Sequence, residues 1–211
     1  MVAPSEARTE LWREMAGHLP FSFLPTEGRF VELFLKTDRL TLRPFRPEDA
    51  PAVQRLAGNW KVARMTARIP YPYPGGAAEA WIAGHDAERA DGTAYPFAID
   101  LAERLVGAAG VMRSTETEHE LGYWIGEPWW GQGVATEAAR RLTQFAFEDL
   151  CADRLLARHH VDNTASGRVL RKCGFRHVND GYSWSTAHGK DVPIRQFVLT
   201  RDRAVNQSGP R

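Results

Sequence analysis

From position 130 to position 137 the chain reads Trp-Gly-Gln-Gly-Val-Ala-Thr-Glu, with a β-type segment before it and a helical pattern after it. A strand, a glycine-rich turn and a helix N-terminus together make a site for an anion. Unpaired backbone N–H groups point outward there, and the helix dipole favours negative charge. Gly131 and Gly133 let a diphosphate approach the backbone with no Cβ in the way. The same turn also fits a plain tight connection into a helix. The dinucleotide fingerprint Gly-x-Gly-x-x-Gly fits poorly, because Thr136 stands where the third glycine belongs and the turn follows at least three candidate strands.

Other groups with chemical potential lie on either side. Glu118, His119 and Glu120 open the strand that leads to the turn. Alternation places Glu120 with Gly122 and Trp124 on one face, and His119 with Leu121 and Tyr123 on the other. His159 and His160 invite a metal reading. Neighbours on a strand point opposite ways, however, so the pair cannot hold one ion from a single face, and no metal is expected. Cys151 and Cys173 lack a Cys-x-x-Cys partner, which argues against both a zinc site and a disulfide framework. Trp129 and Trp130, with Tyr71 and Tyr73, suit either an acceptor pocket or a core.

These residues need a scaffold, and the hydrophobic pattern supplies one. Leu40 and Leu42 alternate with polar neighbours as a half-buried strand. Ala50, Val53, Leu56 and Ala57 suggest a helix, 71–76 a loop, and 77–89 a second helix. Strands are expected at 95–100, 104–113 and 118–125, with Ala102-Glu103 as the hairpin turn between the first two. Ala135, Ala138, Ala139, Leu142, Phe145, Ala146 and Leu150 recur at helical spacing and predict the longest helix, 134–150. A strand at 154–161, a short helix ending at Gly174, and strands at 175–185 and 192–200 complete the domain. The order of elements predicts an α/β (α+β) layer. Residues 1–36 read as an extension, with a helix after Ser5 and a stretch at 30–35 apolar enough for a strand, inside or outside the main sheet. The domain proper spans 37–203, and 204–211 is a polar tail.

Composition narrows the partners. The 211 residues suit one domain. Apolar residues make up 43% and charged residues 25%, the balance of a soluble globular protein. A net charge of +1 gives no sign of a phosphate-tracking surface, so nucleic acid is not expected as a partner. No apolar run approaches the ~20 residues of a membrane span, and a cytoplasmic location is the default expectation.

At the glycine turn the sequence resembles the GNAT superfamily of acyl-CoA N-acyltransferases, and within it the ribosomal-protein N-terminal acetyltransferase-like (Rim-type) branch. The branch's Trp-Gly-x-Gly-x-Ala-Thr-Glu is matched from Trp130 to Glu137, preceded by its Gly-Tyr-Trp-Ile at 122–125. Its Asn-x-x-Ser and later Gly-Phe are met by Asn163, Ser166, Gly174 and Phe175. Trp130 departs from the family's Arg/Gln at that place. The resemblance covers roughly 37–200 and implies a mixed sheet of six to seven strands flanked by helices.

It also implies roles. Acetyl-CoA would be the acyl donor, with an amine as acceptor and transfer by direct attack on the thioester. Tyr123, Trp124 and Ile125 would leave a splayed strand edge for the pantetheine arm, with an N–H near Trp124 or Ile125 on the thioester oxygen. Trp130, Gly131, Gln132, Gly133, Val134, Ala135 and Thr136 would hold the pyrophosphate. Asn163 and Ser166 would touch the cofactor arm, and Asn163 equally suits a helix N-cap. Glu120 is the first choice for the base that accepts the amine's proton, with Glu118 and His119 as alternatives and a simple surface ion pair as the rival reading. Many relatives carry a tyrosine four residues before Gly174, but here the position holds Leu170. Ser166 would then hydrogen-bond the departing thiolate unaided. An acetyl-CoA-binding sensor module is the alternative to an enzyme, and a homodimer is left open.

Overall fold

The structure, a computed structural model, describes residues 23–26 and 29–207. Eight strands form one sheet in the order β3-β4-β5-β6-β7-β8-β10-β9. They are β3 (Leu35–Lys36), β4 (Leu40–Arg43), β5 (Ala94–Leu101), β6 (Arg104–Arg113), β7 (Glu118–Ile125), β8 (Arg154–His160), β9 (Arg176–Ser185) and β10 (Lys190–Thr200). Every neighbouring pair is antiparallel except β7 and β8. A parallel pair needs a crossover, and α5 (Val134–Glu148) provides it. Two short strands, β1 (Phe23–Thr26) and β2 (Arg29–Glu32), pair only with each other.

Helices cover both faces. On one side α5 lays Ala138, Ala139, Leu142, Phe145 and Ala146 against the sheet, all fully buried. Phe145 meets Tyr95 and Phe97 edge-on, with ring centroids 5.5 and 5.4 Å apart. The helix α6 (Thr164–Lys172) shares this face and buries Leu170 there. On the other side α1 (Ala50–Ala57) and α3 (Ala77–Ala83) pack Val53, Ala57, Ala78 and Ile82 over Ala98 and Ala108. Between α1 and α3 runs the single-turn α2 (Trp60–Ala63), and α4 (His85–Ala90) follows α3. A final helix, α7, spans Arg201–Gln207.

The sheet has eight strands rather than six to seven. One reason is the first edge: Leu35 pairs with Leu42 and is fully buried, so the sheet starts two residues before Thr37. The apolar stretch at 30–35 therefore divides between the β1–β2 hairpin and the main sheet. Asn206 and Gln207, expected in the tail, continue α7. The helix expected after Ser5 lies outside the described residues. Ala102 and Glu103 do form the two-residue hairpin turn, with φ of 48° and 61°, the left-handed pair that matches strand twist.

A buried ion triad ties the sheet to α1. Arg43 on β4 donates to Asp49 through both terminal nitrogens, at 2.7 and 2.9 Å, and to Asp100 on β5 at 2.6 and 3.1 Å. Burial is the strongest influence on Asp49 and pushes its pKa up. The hydrogen bonds from Arg43 and the Arg46 N–H outweigh it and hold the carboxyl below its usual value. A lowered acid pKa contributes stability that is present above the unfolded value and lost as pH falls through the folded one. Arg43→Met strands two carboxylates with little access to water and should cost about 3–5 kcal/mol at pH 7. Thermal melting should show that loss narrowing as pH falls below the ordinary aspartate value of about 3.9 and on through the lowered value of Asp49. A melting temperature equal to the parent's at pH 7 would mean that the triad is energetically silent.

Candidate functional site

The site begins where the parallel pair ends. β7 and β8 are in register at only three positions, Glu118↔Arg154, His119↔Leu155 and Glu120↔Leu156. Beyond Glu120 the strands part, while β7 stays paired with β6 as far as Ile125↔Gly107. The N–H of Gly126 donates to Val106 on the β6 side at 2.8 Å. By the alternation of an antiparallel ladder, Tyr123 and Ile125 then turn their backbone groups to the open side, and Trp124 turns its own toward β6. The Ile125 carbonyl is already occupied, because the Trp130 indole N–H donates to it at 2.6 Å. The N–H groups of Tyr123 and Ile125 face the open side, beyond the last position paired with β8. Of Trp124 and Ile125, the two residues expected to offer an N–H, only Ile125 turns its own to that side.

The glycine turn follows. Glu127 lies in the single-turn 3-10 segment Glu127–Trp129, and its carboxylate is held by Asn59 and by Lys61. Gly131 and Gly133 then take φ of 76° and 80°, conformations that carry a steric cost for residues with a Cβ. Gly133 is the N-cap of α5 and has no side chain to satisfy the first N–H groups of that helix. Val134 turns into the core, and Ala135 and Thr136 are half-buried on the first turn.

A clamp from the far edge of the sheet fixes this turn. Glu137 accepts from the Thr37 hydroxyl at 2.6 Å, the Arg39 backbone N–H at 3.0 Å and Arg39 Nε at 2.8 Å. Arg39 also donates to the Gln132 carbonyl at 3.1 Å. Burial alone would raise the pKa of Glu137, but the bonds from Thr37 and Arg39 reverse it and leave the group below its usual value. Sequence reading missed Arg39 altogether. The signal was an acidic residue in the first turn of a helix, near a turn that has no side chains of its own to brace it.

Two cavities, of about 660 and 410 Å³, meet in the gap. The larger is bounded by Tyr73, Trp81, Met112, Glu120, Arg158 and His160. The smaller is bounded by the turn and the start of α6, including Trp129, Trp130, Gly131, Gly133 and Val134. Tyr123, Trp124, Asn163 and Ser166 line both. Of the four aromatics singled out from sequence, Tyr73 faces the larger cavity, Trp129 and Trp130 the smaller, and Tyr71 packs on Trp60.

Glu120 lines the larger cavity but is not free. Arg158 on β8 holds both of its oxygens, at 2.8 and 3.1 Å. The ion-pair reading of Glu120 is thus realised in the structure, and it leaves the carboxylate at the cavity wall. Glu118 pairs with Arg154, and His119 is buried on the opposite face. His159 and His160 diverge as their positions predict. His159 packs near Phe197, while Nδ1 of His160 is 3.0 Å from the Arg64 carbonyl.

At the start of α6, Asn163 is the N-cap, its Oδ1 accepting from the Ser166 N–H at 3.1 Å. Gly167 follows, and a Cβ there would lie 2.7 Å from His159 Nε2, so only glycine lets α6 sit this close to β8. Ser166 Oγ lies 2.8 Å from the Tyr123 hydroxyl.

Residues 39–176 match the acetyltransferase (GNAT) domain family. The chain is 26% identical over 171 residues to the N-acetyltransferase p20 of Bacillus licheniformis, covering 79% of this chain and 96% of that protein. Among solved structures it is similar to a GNAT-family acetyltransferase from Bacillus anthracis, with a TM-score of 0.67 and 21% identity over 80% of this chain and 99% of that one. It is also similar to the RimL ribosomal L7/L12 α-N-protein acetyltransferase, solved with coenzyme A. That TM-score is 0.72 at 18% identity, over 81% and 99% of the two chains. At these identities the structural likeness shows the fold alone.

The clamp is directly testable. Glu137→Ala removes the acceptor for Thr37 and Arg39 and should cost about 1 kcal/mol, the low end of the range because Arg39 is half exposed. Amide exchange at residues 131–134 should quicken, and Glu137→Gln, which keeps one carbonyl acceptor, should show a smaller change. Unaltered exchange in the alanine variant would mean that the turn holds its shape without the clamp.

Proposed function

The chain belongs to the GNAT acetyltransferase family and is an acetyl-CoA-dependent N-acetyltransferase, and on that premise we propose how its two cavities divide the work. Acetyl-CoA lies along the smaller cavity with its pyrophosphate on the turn at 131–135 and its pantetheine arm in the gap between β7 and β8. The acceptor is a primary amine, either a peptide N-terminus or a small molecule. It enters by the larger cavity and meets the thioester at the junction. The observation that carries this reading is that both cavities share Tyr123, Trp124, Asn163 and Ser166, at the place where the strands part. The acceptor side is walled by Ile69, Tyr73, Trp81 and Met112, which suits an amine carried on an apolar body.

The turn fits a diphosphate on chemical grounds. It offers backbone N–H groups at a helix start, two glycines, and open space where a Gly131 Cβ would stand. The outward N–H groups of Tyr123 and Ile125 receive the amide-bearing arm as a further strand would. As the amine attacks, charge grows on the thioester oxygen, and the Ile125 or Tyr123 N–H is placed to stabilise it. Ser166 sits beside the sulfur and donates a hydrogen bond to it as the thiolate departs.

The attacking amine must be neutral and must lose a proton on bond formation. Glu120 takes that proton. A carboxylate has about four lone-pair sites, so two bonds from Arg158 leave room for the acceptor, and the guanidinium fixes the direction of the free lone pairs. Glu120→Gln should lower turnover by about 10²-fold while acetyl-CoA affinity, read by titration calorimetry, stays within a few-fold. Arg158→Gln keeps the carboxylate and should lose less. Equal losses in the two variants would assign the effect to the ion pair and remove Glu120 as base.

A further inference from the structure

On α6, the position where the family resemblance expects a tyrosine holds Leu170, a core residue with no proton to give. A phenol nevertheless stands at the junction of the two cavities, brought there by a different element. Tyr123 projects from β7 toward α6, and its oxygen lies 2.8 Å from Ser166 Oγ and 3.4 Å from the Ser166 carbonyl. The carbonyl can only accept, whereas along the shorter contact either hydroxyl can be the donor. Burial drives the Tyr123 pKa well above its ordinary value, against a smaller opposing effect of the Ser166 contact, so the hydroxyl stays protonated at every working pH. It keeps a hydrogen to donate, and the shorter of its two contacts is the one to Ser166 Oγ.

Ser166 is also fixed from its backbone. Asn163 caps its N–H, and Gly167 seats the next residue against His159. With the phenol donating along the short contact, the serine's own hydrogen is left to point elsewhere, and the open direction is the cavity junction that Ser166 lines.

We infer that Tyr123 is a positioning residue for the reaction: its hydroxyl donates to Ser166 Oγ and so orients the serine's hydrogen toward the sulfur that departs. This rests on the assignment of Ser166 made under the proposed function. In the step, the C–N bond forms, the C–S bond breaks and the electron pair passes to sulfur. Neither hydroxyl loses its hydrogen. The thiolate leaves hydrogen-bonded to Ser166 and takes its proton from solvent, as a thiol of pKa about 8.5 readily does near neutral pH.

A double-mutant cycle on the full chain tests this with hydroxylamine as acceptor, saturating acetyl-CoA and thiol release as the readout. Tyr123→Phe and Ser166→Ala should each lower kcat by about tenfold, which is ~1.4 kcal/mol of transition-state stabilisation. Acetyl-CoA affinity and melting temperature should stay near the parent's in both. The double variant should be no slower than the slower single one, because the tyrosine acts through the serine. Full turnover in Tyr123→Phe, or losses that multiply in the double variant, overturn the inference while an impaired Ser166→Ala leaves the serine's own role standing. Full turnover in Ser166→Ala removes that role and the inference together. A Tyr123→Phe protein that melts early, and is slowed equally with and without Ser166, marks the phenol as mere packing.

Discussion

Two parallel strands held together at three positions and then released are the constraint on which the rest of this molecule depends. β7 and β8 are joined at Glu118 to Glu120, and past that point no strand among the described residues fills the ladder. Unpaired backbone groups in a sheet interior are costly unless something satisfies them. The protein partly meets the need from within, since the Trp130 indole takes the Ile125 carbonyl. On the proposed reading, the N–H groups that remain would make this unfinished sheet a receptor for an extended, amide-bearing ligand. The crossover helix α5 is needed to make the two strands parallel, and its N-terminus comes out beside the gap. One topological fact therefore sets the open strand edge and the helix start side by side, where the proposed function needs them for the arm and the phosphates.

The bracing around the gap uses charge at several points. Arg43 joins β4, β5 and the start of α1 through two carboxylates, Arg39 joins the first edge of the sheet to the turn, and Arg158 joins β8 to β7 across the last paired positions. The first is buried and is expected to dominate stability, whereas the other two are half exposed and act mainly by direction. Arg39 matters because Gly131 and Gly133 surrender the side chains that would otherwise hold the turn. Freedom of the backbone at those two glycines is matched by a rigid contact one helical turn away.

Much of the fold was legible in the sequence because it is local. The bounds of β6 and β7, the start of α5, and the Ala102-Glu103 turn follow from periodicity and from turn geometry within a few residues. What escaped is long-range. Glu137 meets Arg39 across 98 residues of chain, Tyr123 meets Ser166 across 43, and Glu120 meets Arg158 across 38. Alternation on β7 did place Glu120 and Tyr123 on opposite faces, but only the register of β8 and the approach of α6 reveal what each face meets. The edge strand β3 was missed for a related reason, since two residues carry no period and Leu35 is recognisable only by its pairing with Leu42. Leu170 shows the limit of motif reading, because a phenol absent from that helix position stands close to the same helix on β7, at Tyr123.

The central claim is that acetyl-CoA completes the gap between β7 and β8 and caps the start of α5. Amide hydrogen exchange, read residue by residue with and without acetyl-CoA, addresses it without any knowledge of the acceptor. Binding should protect the N–H groups of Tyr123 and Ile125 and those of residues 131–135, and leave Trp124, already turned to β6, little changed. Protection confined to other surfaces, or equal protection along all of β7, would contradict the account.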